Sequence, residues 1–204
     1  MLPHPTQTLS DTKRELATGA PPAPAEVAYV VRNLAGIMAS FSRVAESTRQ
    51  DEIAAIAHQV ELKLTSISGT LARGSGAGAI GSRGQDLTRL SGEALIRTEA
   101  DEEDMDFAES AGIAITAVDC IKLLRRTALE GGRSGQWRGV EPTILHELAG
   151  AAEMGATLDK QATQVVVTGG ALGRRPLDIE GRRFRRTDPD VDPMPPTPSR
   201  GPSL

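Results

Sequence analysis

The chain has 204 residues, a net charge of −4, a single cysteine and few aromatics: one Trp, one Tyr and three Phe. One thiol excludes an intrachain disulfide and a cysteine-only metal site, and the acidic balance argues against a surface that binds nucleic acid over its whole extent. No stretch approaches the ~18 consecutive apolar residues of a bilayer span. Residues 1–19 show no basic region followed by an apolar run, so no secretion signal is read, and the expected location is the cytoplasm or an assembled particle.

Prolines set the organisation. They crowd residues 3–24 and 189–202, and only Pro142 falls between Ala25 and Gly173. Proline inside a helix costs about 3 kcal/mol, so the middle of the chain is free to be helical. The expected fold is all-α: a bundle of four to five amphipathic helices over residues 25–170, with flexible Pro-rich tails at 1–24 and 171–204.

In the first tail, Thr12-Lys13-Arg14-Glu15 matches a capping box, and Gly19 is a stop for a short helix. Pro21-Pro22-Ala23-Pro24 reads as a stiff linker. A long helix is expected from about residue 25 to 48. In it Val27, Val30, Leu34, Ile37, Phe41 and Val44 step by threes and fours along one stripe. A second, over 51–72, repeats the pattern with Ile53, Ile56, Val60, Leu64, Ile67 and Leu71.

Six glycines between Gly69 and Gly84 predict a connection. A third helix is expected over 85–98. A fourth is expected over 100–130, acidic at its start (Asp101–Asp106) and basic at its end, as the macrodipole favours, with Gly131-Gly132 as its stop. Nothing between Thr98 and Asp101 separates the two. A last helix is expected over 141–167, with Pro142 in its first turn. Its seam is Ile144, Ala151, Leu158 and Val165, spaced by seven, with Leu148, Gly155 and Ala162 as the second row. Small residues there allow close helix approach.

Several motifs invite a chemistry and lack its context. Gly76-Ala77-Gly78-Ala79-Ile80-Gly81 has the G-x-G-x-x-G spacing but no strand before it. Val165 to Gly173 resembles the opening strand and glycine turn of short-chain dehydrogenases, a family in which the nucleotide domain follows that segment. Here an Arg- and Pro-rich stretch follows, Arg175 replaces the next glycine, and a helix end at Gly169-Gly170 accounts for the residues. His146-Glu147 opens a zinc-protease signature whose second histidine position is Gly150. Cys120 lies in an apolar run and reads as a core residue. No catalytic, cofactor-binding or metal-ligating residues are assigned, and no cofactor is expected.

The functional expectation is therefore a non-enzymatic structural or assembly protein that self-associates, as a subunit of a virion, filament or other particle. Its candidate interface residues are Val27, Val30, Leu34, Ile37, Phe41, Val44, Ile144, Leu148, Ala151, Leu158 and Val165. A second expectation is contact with RNA or DNA through Arg174, Arg175, Arg182, Arg183, Phe184, Arg185 and Arg186, where arginines suit phosphate and an aromatic can stack on a base. A third is a helical adaptor or chaperone whose Pro-rich end, residues 189–204, recruits a protein partner.

Overall fold

A computed structural model describes residues 3–18, 20–74, 82–135, 137 and 143–184; for 74, 82, 83, 134 and 170–184 it describes the backbone. Among these residues there are six helices and no strand: α1 (Pro5–Ala17), α2 (Pro24–Ser47), α3 (Asp51–Gly74), α4 (Ser82–Asp101), α5 (Phe107–Ser134) and α6 (Thr143–Phe184). The chain divides into two compact units, Met1–Val166 and Val167–Leu204. The fold is all-helical, as the periodicity indicates.

In the first unit, α2 is the central helix, and α3, α4 and α5 all pack on it. Hydrogen bonds fix the directions. Ser42 Oγ donates to the Ala54 carbonyl and Ser68 Oγ to the Ala28 carbonyl, so α3 runs antiparallel to α2. Asn33 Nδ2 donates to Ser91 Oγ, and Arg43 pairs with Glu102, so α4 runs parallel to α2. Small residues let that pair approach closely. At Gly36 a Cβ would lie 2.6 Å from Leu95 Cδ1, and at Gly84 it would overlap the Glu26 carboxyl group. The Phe41 and Phe107 rings meet at 5.8 Å, which brings the start of α5 to the end of α2.

The expected N-terminal tail contains its helix, and that helix is docked. It begins at Pro5 rather than Thr12, because proline suits the first helical position and His4 Nδ1 accepts from the Thr6 N–H as the cap. Thr12 sits mid-helix, its hydroxyl donating back to the Thr8 carbonyl. Leu9 and Leu16 are buried in the core. α1 packs on α4 and runs parallel to α5: His4 meets Glu109, and Lys13 meets Asp119. Pro22 is buried, and its carbonyl accepts from Trp137 Nε1.

The boundaries of α4 and α5 also differ from the periodicity reading. α4 stops at Asp101 and α5 starts at Phe107, with Asp106 as N-cap accepting from the Glu109 N–H at 2.8 Å. The acidic run is therefore mostly the turn between two helices, not the start of one. α5 also passes through Gly131-Gly132 and stops at left-handed Gly135 (φ 76°). Gly131 is a packing glycine: the Trp137 ring occupies the space a Cβ would need.

Residues 143–166 of α6 pack against α3 and α5. Gly150 lies against the Lys63 side chain, and a Cβ at Gly155 would sit 3.0 Å from Val118 Cγ1. In the second unit α6 continues to Phe184, past the expected stop at Gly169-Gly170. Glycine weakens a helix by about 1 kcal/mol relative to alanine but keeps both backbone groups, and Ala171, Leu172, Arg174 and Arg175 favour the helical state.

Candidate interaction surfaces

The interface residues expected from the sequence are inside the single chain. Val27, Val30, Leu34, Ile37, Phe41, Val44, Ile144, Leu148, Ala151 and Leu158 are buried, and Val165 is half-buried. Their stripes are filled by neighbouring helices of the same bundle. Of the arginine candidates, Arg174, Arg175, Arg182, Arg183 and Phe184 lie in the last part of α6, while Arg185, Arg186 and the Pro-rich segment 189–204 lie outside the described residues.

The individual reactive groups are held in structural roles. Cys120 is fully buried, and burial pushes its thiol up to about 12, with Sγ 3.6 Å from the Leu9 carbonyl. A thiol in that state is a poor nucleophile at neutral pH. His58 and His146 are exposed, and His58 bonds Glu61 one turn along its own helix at 2.8 Å. No group of three metal-ligating side chains forms among the described residues. A cleft between α1 and α5, lined by Leu16, Pro21, Leu123 and Arg126 among others, has about 20 Å³ of space, room for about one water. No helix among the described residues is long and apolar enough to cross a membrane.

What the fold does assemble is a strongly acidic end. The start of α1, the end of α2, the start of α3, the end of α4 and the start of α5 all meet there. They bring together Glu46, Asp51, Glu52, Glu99, Asp101, Glu102, Glu103, Asp104, Asp106 and Glu109, against Arg43, Arg49 and Arg97. Arg43 holds Glu102 through two hydrogen bonds of 2.5 and 2.6 Å, which lower the Glu102 pKa despite partial burial. Arg97 pairs with Asp101 at 2.7 Å. Glu46, Asp51, Glu52, Glu103 and Asp104 are exposed and have no salt bridge among the described residues.

Helix dipoles explain only part of this. Asp51, Glu52, Asp106 and Glu109 lie at helix starts, where negative charge is favoured, but Glu46, Glu99 and Asp101 lie at helix ends, where it is not. From the sequence, only the run from Asp101 to Asp106 is conspicuous. Its union with residues 46–52 depends on α2, α3 and α4 having nearly equal lengths and on the α2–α3 turn closing at the same end as the α4–α5 turn.

No family model, curated protein or solved structure matches this chain.

Proposed function

We propose that the protein is a non-enzymatic structural subunit that associates with copies of itself. The acidic end of one bundle meets the Arg174–Arg186 segment of another copy. The observation that carries this reading is the separation of charge along one chain: a predominantly acidic end on the bundle and a cluster of arginines later in the sequence. The apolar stripes are already used inside the single chain, so contact between copies falls to the outside. A contact between unlike surfaces continues from copy to copy, giving a ring or an open filament. Such a subunit works in the cytoplasm or within the assembly it builds.

The test is molar mass by sedimentation at 50 and 500 mM salt. Association is expected at low salt and loss of association at high salt, because exposed charges are screened over about 8 Å at physiological ionic strength. Replacing Arg174, Arg175, Arg182 and Arg183 with Glu should remove the salt-dependent association already at 50 mM salt. A monomer throughout the micromolar range would overturn the reading.

The same variant separates the nucleic-acid reading, which rests on the same arginines with Phe184. If wild type binds an RNA or DNA probe with a steep salt dependence, and the variant does not, those arginines serve nucleic acid. Loss of a co-purifying partner on removing residues 189–204 would favour the adaptor reading instead.

A further inference from the structure

The outer face of α3 carries a two-fold pattern. Leu62 is 55% exposed at the middle of the helix. Eleven residues make three helical turns to within about 20°, so Asp51, Leu62 and Arg73 lie on one line. Ala55 and Gly69 are seven residues to either side of Leu62, on the same line to within about 20°. Asp51, Ala55 and Arg73 are exposed, and Gly69 is half-exposed. The Arg73 guanidinium turns back along this face, donating to Thr70 Oγ1 at 3.3 Å and lying beside Gly69. Neither Asp51 nor Arg73 has a salt bridge among the described residues.

We infer that this face pairs with the same face of a second copy, α3 against α3 antiparallel about Leu62. The occupant follows from charge complementarity. A two-fold axis at Leu62 sets Asp51 of each chain opposite Arg73 of the other, so both ends of the pair carry a match. It also sets Ala55 opposite Gly69, and these small residues let the two backbones approach around the single leucine pair. Any partner lacking this symmetry would have to supply both charges in the reverse order. The inference rests on self-association and adds a contact of a different kind: an isologous pairing closes on itself, whereas the acidic-end contact does not. Two such contacts on one subunit build a double-stranded assembly.

The experiment uses the full chain in sedimentation, with circular dichroism to confirm the fold of each variant. Arg73→Asp turns two attractive pairs into two repulsive ones and should weaken the dimer about tenfold. On the background in which Arg174, Arg175, Arg182 and Arg183 are Glu, where the acidic-end contact is absent, Asp51→Arg should do the same, and the double exchange Asp51→Arg with Arg73→Asp should restore pairing to within about threefold. Leu62→Glu, at an exposed position, should abolish pairing while circular dichroism shows the helical fold retained. Assemblies indifferent to Leu62→Glu, or not rescued by the double exchange, overturn this face and leave self-association through the acidic end standing. Monomers under all conditions overturn both.

Discussion

Trp137 Nε1–H donates to the Pro22 carbonyl at 3.0 Å, across 115 residues of sequence. The indole is 5% exposed, and it also fills the space above Gly131. One side chain thus closes the end of α5 and pins the segment between α1 and α2. Replacing it with Phe keeps most of the apolar area but strands a buried carbonyl, at a cost of about 1–3 kcal/mol. Trp137→Ala also loses the ring, at about 3–5 kcal/mol. Urea melts followed by circular dichroism should show that order, with faster hydrogen exchange over residues 5–22. Equal losses would mean that the ring adds nothing beyond its hydrogen bond, and an undamaged Trp137→Phe would mean that the hydrogen bond contributes nothing.

Arg49 occupies the left-handed region at φ 62°. It closes α2 in a Schellman arrangement: the Gln50 N–H donates to the Ala45 carbonyl and the Arg49 N–H to the Glu46 carbonyl. Glycine is the usual residue there, because a Cβ costs about 1–2 kcal/mol in that conformation. Arg49→Gly should therefore stabilise the protein by about 1 kcal/mol, or roughly 2–4 °C in Tm for a chain of this size. A lower Tm would show that the arginine side chain contributes more than its backbone costs.

Asp119 sits between Lys13 of α1 and Lys122 of its own helix, at 2.7 and 3.2 Å. Burial raises its pKa, but the two lysine hydrogen bonds outweigh burial and leave it below the ordinary value. Glu102 is lowered by Arg43. A carboxylate with a depressed folded-state pKa contributes stability above its unfolded value and loses it as pH falls through the folded one. Thermal stability should be level near neutrality and decline as pH drops below about 4, the ordinary carboxylate range. Asp119→Asn should start lower at pH 7 and lose less on acidification. Parallel pH curves for the two proteins would contradict this assignment.

Gly36 lies in α2 beneath Leu95 of α4. Valine there forces the leucine or the helix to shift, and overpacking of this kind costs about 1–3 kcal/mol. Leu95→Ala makes the room, so the double variant should be less damaged than the sum of the singles, with a coupling of about 0.5–3 kcal/mol. Additive losses in a denaturant double-mutant cycle would mean that the two sites do not press on each other.

Much of this architecture is legible in the sequence. The α2 and α3 stripes are continuous, and their members are buried except Ile56, which is half-buried. The helix ends are less legible, because tertiary contacts set them. The break after Asp101 has no glycine or proline. It depends on Arg43 reaching Glu102, on Met105 entering the core and on Asp106 capping α5. The α2 stop carries an arginine where glycine would be the signal. The reverse also occurs: Gly131 looks like a helix stop and is there for the indole. The acidic end is half visible, since its two sequence segments are fifty residues apart and only helix lengths join them.

The docking of α1 onto α5 also bears on how the chain is made. Lys13 and Asp119 are 106 positions apart. At typical synthesis rates of about 5–20 residues per second, α1 leaves the ribosome roughly 5–20 s before its partner helix exists. Until α5 has emerged, α1 can meet α4 but lacks the second helix on which it packs. The α2–α3 hairpin, by contrast, can close as soon as both of its helices have emerged. Among the described helices of the first unit, α1 thus waits longest to complete its packing.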